Sequence, residues 1–227
     1  MATTLSNPRA QLKDEAATHI RELIISGQVA PGQLIRLAPL AERVGASVTP
    51  VREALLLLAQ DGWVVQEPNR GFRVATITRG DVEDAYLVHA DVAGELVARA
   101  AAKIDDETIA TLWALDASIK ARGDQDDDAL EEINYTLHHT IYEVAESPRL
   151  VWFVNASSRF VPRRFWGTIP GWFEHNRAGH AAILEALAAH EPERAREAMA
   201  NHINAARDLL LAHLDSVGFW SSDNPGE

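Results

Sequence analysis

Gly45-Ala46-Ser47-Val48-Thr49-Pro50-Val51-Arg52-Glu53-Ala54-Leu55 opens a helix in a way that constrains what surrounds it. Ser47 stands where an N-cap hydroxyl can accept a backbone N–H. Pro50 falls in the first turn, where the N–H groups lack intrahelical partners and a missing donor costs little. The helix is predicted to run on through Leu55-Leu56-Leu57-Leu58 to Gly62. Immediately upstream, Pro39 to Val44 reads as a brief helix stopped by Gly45. Two short helices joined this tightly can present the first turn of the second to a DNA groove.

Working outward, residues Gln11 to Ser26 place Leu12, Ala16, Ile20, Leu23 and Ile24 at helical spacing, with Gly27 as the stop. Pro31-Gly32 forces a turn into an extended piece, Leu34-Ile35-Arg36-Leu37. Downstream, Trp63-Val64-Val65-Gln66 and Phe72-Arg73-Val74 read as strands flanking Pro68-Asn69-Arg70-Gly71, a hairpin. The predicted order is helix, helix, helix, hairpin, which is a winged helix-turn-helix.

Candidate DNA contacts follow from this order. Ser47 and Thr49 suit phosphates or base edges, and Arg52 can reach a guanine bidentately or clamp a phosphate. Pro50 shares their turn, and Arg36 and Arg43 supply further positive charge on the same head. Arg70 and Gly71 at the hairpin tip can enter a neighbouring minor groove. Each residue alone also has a plain structural use as a cap, a surface charge or a turn residue.

The formal net charge of −12 looks unsuited to phosphates, but it is unevenly spread. Through Thr78 there are eight basic and seven acidic residues; beyond it, 13 basic and 26 acidic. An acidic body with a near-neutral head suits a protein that meets DNA at one end. The longest apolar stretch, Ala54 to Ala59, is far below the roughly 20 residues of a membrane span, and Met1-Ala2-Thr3-Thr4 begins no signal peptide, so the expected location is the cytoplasm. With no cysteine, disulfides and thiolate metal sites are excluded.

After Val74 the chain turns to long amphipathic segments: Asp81 to Lys103, Asp106 to Arg122, Asp128 to Glu146, Arg149 to Arg159, Phe173 to His190 and Pro192 to Leu214. The expected architecture is mainly α: a winged head over residues 1–78, then an all-helical antiparallel bundle of six or seven helices over 79–227. Within the bundle, Asn134 and His138 share a helical face with Ile141 and Tyr142. His180 precedes Ile183 and Leu184, and His202 lies with Met199 and Ala206. Three histidines on apolar faces of three helices can converge on one ion, imidazole being the common ligand for Zn and Ni. Core histidines that merely hydrogen-bond remain the alternative. Arg163 and Arg164, in the aromatic segment Phe160 to Phe173, can clamp a carboxylate. The aromatic residues Trp152, Phe153, Phe165, Trp166, Trp172 and Phe173 read as core or dimer packing first and pocket walls second.

Together Ile24, Gly27, Pro31-Gly32, Leu40-Ala41, Gly45 to Leu55, Leu58, Asp61-Gly62 and Gly71 to Val74 resemble the GntR family of bacterial regulators. Asn134 to His138, Ser147-Pro148-Arg149-Leu150, His180 to Leu187 and Ala195 to Ile203 resemble the FCD effector domain of its FadR subfamily. The resemblance implies a homodimeric transcription regulator, chiefly a repressor, on a near-palindromic double-stranded operator, controlled by a small organic acid. It also implies a divalent metal, Zn or Ni, on His138, His180 and His202 with Asn134 in the place of the usual Asp. Val48 stands where the family commonly has Arg, and His89 and Ala93 stand where many relatives carry Arg and Glu as pocket groups, leaving His89 as an effector-site candidate. A metal-responsive regulator and a metal-dependent hydrolase are the other readings. The hydrolase lacks an acid at helical spacing with the histidines to serve as general base.

Overall fold

A computed structural model describes residues 8–122, 128–158 and 169–220, with side chains from Leu12 onward apart from Asp128. The chain divides into two compact units, one through Thr78 together with the residues from Leu214 onward, the other Arg79–His213.

In the first unit, α1 (Pro8–Ile25) is followed by β1 (Leu34–Ile35), α2 (Leu37–Val44), α3 (Val48–Gln60), β2 (Val64–Glu67) and β3 (Gly71–Val74). The core is built from Ala16, Ile20, Leu23 and Ile24 of α1 and Val51, Ala54, Leu55 and Leu58 of α3, closed by Leu40, Trp63 and Phe72. A nearly buried ion pair, Arg21 to Asp61 at 2.6 Å, ties α1 to the end of α3. Gly45 adopts a left-handed φ of 72°, and the Ala46 amide donates to the Ala41 carbonyl at 3.0 Å, so α2 ends sharply and only Gly45, Ala46 and Ser47 separate it from α3.

Of the extended piece predicted over Leu34 to Leu37, Leu34–Ile35 forms a third strand, while Arg36 takes the N-cap position of α2 and Leu37 begins it. β1 pairs antiparallel with β3, which pairs antiparallel with β2, in the order β1-β3-β2. Arg73 fastens this small sheet by donating to the Gly32 carbonyl at 2.6 Å and to the Glu67 carboxylate.

The second unit is helical: α4 (Arg79–Ala101), α5 (Asp106–Arg122), α6 (Asp128–Val144), α7 (Pro148–Ser158), α8 (Trp172–Ala188) and α9 (Pro192–Ser216). Together with the first unit this matches the fold class expected from sequence. Helix α4 packs on α6 and α7, and α5 packs on α6 and α8. Leu96, Leu112, Leu137, Ile141, Ile183, Leu184 and Met199 are fully buried between them. No helix among the described residues is long and apolar enough to cross a membrane.

Candidate metal centre and nucleic-acid interface

Helix α3 has two faces. Pro50, Val51, Ala54, Leu55 and Leu58 are buried, while Ser47, Val48, Thr49, Arg52 and Leu56 are exposed. Val48 keeps 43% of its surface in solvent despite being apolar. Two expectations are corrected here. Ser47 occupies the N-cap position in extended conformation, but its hydroxyl makes no capping hydrogen bond. Pro50 is buried with Val51, so it shapes the first turn and offers no surface to a nucleic acid.

The arginines separate by what holds them. Arg36 and Arg52 are exposed, and their guanidinium groups make no hydrogen bond or ion pair among the described residues. Arg43 is tied to Gln28, donating to its carbonyl at 3.2 Å and its side-chain oxygen at 2.6 Å. At the tip of the β2–β3 hairpin, Asn69 and Gly71 take positive φ values of 61° and 94°, which leaves Arg70 exposed between them.

In the helical unit His138 comes from α6, His180 from α8 and His202 from α9. One ring nitrogen from each lies within 4.8 Å of the others. His138 Nε2 and His180 Nε2 are 3.3 Å apart. Two ligands each 2.0–2.1 Å from a tetrahedral Zn²⁺ are also about 3.3 Å apart. Several buried polar atoms around this point make no hydrogen bond: Nδ1 of His138, His180 and His202, and the side-chain oxygen of Asn134. The Nδ1 atoms of His138 and His180 lie on the far side of rings whose Nε2 atoms meet, so the ligating nitrogens are the inward ones: three imidazoles, each bringing one nitrogen to the same point in an apolar interior, are the donor set a divalent ion takes. The residues present therefore fit a divalent metal.

The environment keeps His138 and His202 neutral, as ligands must be. Burial, reinforced by the neighbouring His180 and His89, pushes His138 well below the ordinary imidazole range. Burial does the same to His202, with added repulsion from the surrounding histidines. His175 stacks on the His202 ring at 4.8 Å with 10° between the planes, fixing its tilt.

Beside the cluster is a cavity of about 150 Å³ lined by Asn134, His138, His202 and Asn176, with Tyr86, His89 and Ser157 also on its wall. His89 Nδ1 is 2.8 Å from the Ser157 hydroxyl. Burial lowers His89 to about 4, against a small opposing contribution from the Val154 backbone. Because this histidine is neutral when folded but titrates near 6.5 when unfolded, the folded state binds fewer protons in that window. Stability is complete above about pH 6.5 and is lost as pH falls toward 4, by up to about 1.4 kcal/mol per pH unit for each such group. Urea titrations of metal-free protein between pH 7.5 and 4.5 test this. His89→Gln should give a shallower decline, and an unchanged slope would refute the assignment.

Arg163 and Arg164, and with them Phe160, Phe165 and Trp166, lie outside the described residues. Trp172 is buried as expected, but Trp152 and Phe153 are exposed on α7 and are not core residues. Sequence reasoning missed Asn176 and Asp116. Asn176 stands four residues before His180, the same spacing as Asn134 to His138, and this was its only signal. Asp116 comes from α5, a helix with no histidine to draw attention to it.

Comparisons with known proteins align with both halves of the chain. The model for "Bacterial regulatory proteins, gntR family" matches residues 12–74, and that for the FCD domain matches residues 84–205. An uncharacterized HTH-type transcriptional regulator of Mycobacterium tuberculosis is 31% identical over 215 residues, covering 89% of this chain and 82% of the relative. A probable D-xylose utilization operon transcriptional repressor of Paenarthrobacter nicotinovorans is 26% identical over 199 residues, covering 83% and 86%. Among solved structures, E. coli McbR/YncC superposes with a TM-score of 0.65 at 22% identity, over 89% of this chain and 98% of that one, which supports the fold.

Proposed function

The chain belongs to the GntR family of bacterial regulatory proteins and carries an FCD domain, and from that premise we propose that it is a repressor of a metabolic operon, released or engaged by a small organic acid bound beside a divalent metal. The observation that carries this reading is the cavity opening onto His138 and His202. The matched families are transcription regulators, not enzymes, so the hydrolase reading falls away. A relative named as a repressor of a sugar-utilization operon favours the metabolic assignment.

DNA is read by α3, through Ser47, Thr49 and Arg52, with Arg36, Arg70 and Gly71 in support. The protein acts as a homodimer on a near-palindromic operator. Exposed Leu87 and Val88 on α4 and Trp152 and Phe153 on α7, two helices that pack together, supply apolar surface for pairing. The effector occupies the cavity, with His89 on its wall. A bound Zn²⁺ or Ni²⁺ supplies a Lewis-acidic point charge that attracts the effector's carboxylate. Because Asn134 is neutral, the ion keeps its full charge of +2 against an anion. A regulator answering to metal alone would have no use for the cavity.

Operator binding measured by fluorescence anisotropy, with organic acids screened in the presence and absence of Zn²⁺ or Ni²⁺, tests the proposal. An acid that stabilises the protein should change operator affinity by about 1–3 kcal/mol. Failure of every stabilising acid to alter DNA binding would end the effector reading. Asn134→Asp should tighten the ion by roughly tenfold, about 1.4 kcal/mol, and weaken the acid, since a carboxylate both ligates better and cancels one charge. Equal metal affinity in the two proteins would exclude Asn134 as a ligand.

A further inference from the structure

Asp116 and Lys120 are four apart on α5, a pattern that normally marks a solvated helix surface. Here the carboxylate is 1% exposed. Its Oδ2 accepts from Lys120 Nζ at 2.6 Å, and the lysine carries the pair to solvent. Its Oδ1 makes no hydrogen bond and faces His180 Nδ1 at 3.7 Å, a nitrogen that is also without a hydrogen-bond partner. His180 is fully buried, and the opposite side of its ring presents Nε2 to His138 Nε2 at 3.3 Å. The imidazole therefore stands between a buried carboxylate and the histidine cluster.

A neutral imidazole carries one proton on one of two nitrogens. A carboxylate oxygen accepts and cannot donate, so the proton beside Asp116 belongs on Nδ1, and the Nε2 lone pair is left directed at the cluster. Only that tautomer can ligate an ion through Nε2. We infer that Asp116 is a positioning residue for the metal centre: it holds the His180 proton on Nδ1 and contributes, from behind the ligand, a negative charge that Asn134 does not provide. Burial alone would raise the Asp116 carboxyl, but His180 and Lys120 together outweigh it and keep it ionised. This inference rests on the metal reading proposed above.

Lys120 makes the role testable. In Asp116→Asn the ammonium attracts the amide oxygen, which turns the amide NH₂ toward His180 Nδ1. That nitrogen must then accept, the proton moves to Nε2, and the metal-facing lone pair is lost. Removing the lysine charge in Asp116→Asn/Lys120→Met frees the amide to turn back and accept.

Long-range ¹⁵N–¹H spectra of the metal-free full-length protein at pH 8, with His180 assigned by comparison with His180→Gln, report the tautomer directly. Chelator competition reports Zn²⁺ affinity. The expected results are an Nδ1–H His180 in the wild type, an Nε2–H His180 with about 10–100-fold weaker Zn²⁺ binding in Asp116→Asn, and partial recovery of both in the double variant. A residue that merely packs or pairs with Lys120 would not move the tautomer. An Nε2–H His180 in the wild type, or Zn²⁺ affinity within about twofold of wild type in Asp116→Asn, would overturn the inference. If the wild type binds no Zn²⁺ while His180 is Nδ1–H, the metal reading fails and the positioning of the ring by Asp116 stands. The wild-type tautomer is read without Asp116→Asn, so poor folding of that variant would not remove the test.

Discussion

Gly179→Ala is expected to dismantle the proposed metal centre while changing the chain by a single methyl group. Gly179 lies on α8 directly before His180. A Cβ built there would collide with His202 Nδ1 and come within 3.0 Å of Cγ and 3.1 Å of Cε1 of the same ring. Helix α8 has no room to retreat, because His180, Ile183, Leu184 and Leu187 are all buried on that helix. The ring must swing instead, and in swinging it leaves the cluster. Losing one of three histidines should weaken Zn²⁺ by more than the 10–100-fold typical of outer-sphere changes. Overpacking should also cost the metal-free protein about 1–3 kcal/mol. Calorimetric Zn²⁺ titration and urea unfolding measure the two effects separately, with Ala178→Ser, at the exposed preceding position, as the control. Wild-type Zn²⁺ affinity in Gly179→Ala would show that His202 does not bind the ion.

Arg52→Ala is expected to cost operator binding about 1–3 kcal/mol, a loss of roughly 10- to 100-fold, with the fold intact. Its guanidinium is exposed beside Thr49 and has no partner among the described residues, so nothing inside the protein loses an interaction when it goes. Arg43→Ala should cost less at the operator, because that side chain is already engaged with Gln28. Comparing both variants on the operator and on a scrambled duplex separates base reading from phosphate contact. If Arg52 reads a base, discrimination falls with affinity; if it grips a phosphate, both duplexes weaken together and the salt dependence drops by about one ion. Equal binding of Arg52→Ala and wild type would remove α3 as the reading element.

How much of this was legible in the sequence depended on whether a residue's role was set by near neighbours. The α2–α3 turn was readable because Gly45 and Pro50 act through their own backbones. The helices of the second unit were readable from periodicity, and α5 ran as expected from Asp106 to Arg122. The histidines could be proposed as a set because each sat on an apolar face, and the structure brings one nitrogen of each within 4.8 Å of the others. What failed to show was pairing between distant segments. Leu34-Ile35 is too short to announce a strand without β3 beside it. Asp116 gave no signal of its own, because its burial comes from the packing of α6 and α8 on α5. Gly179 gave no signal, since its importance lies in a ring that arrives from another helix. Pro50 misled in the opposite direction: its place in a promising motif suggested contact with DNA, whereas its side chain belongs to the core.

The exposed Val48 at the head of α3 bears on which promoters this chain can have come to serve. Where relatives of the family commonly present a cation, this helix presents two methyl groups, which exchange hydrogen bonding at a guanine edge for van der Waals contact, best satisfied by the C5-methyl of thymine. The substitution also removes one charge that would displace a counterion from the duplex, so binding should respond less steeply to ionic strength. A binding-site selection run in parallel on wild type and Val48→Arg would show this as a thymine-to-guanine shift at one symmetric pair of positions. On the reading proposed above, one codon at Val48 would then redirect DNA recognition while leaving the histidine cluster of the second unit untouched.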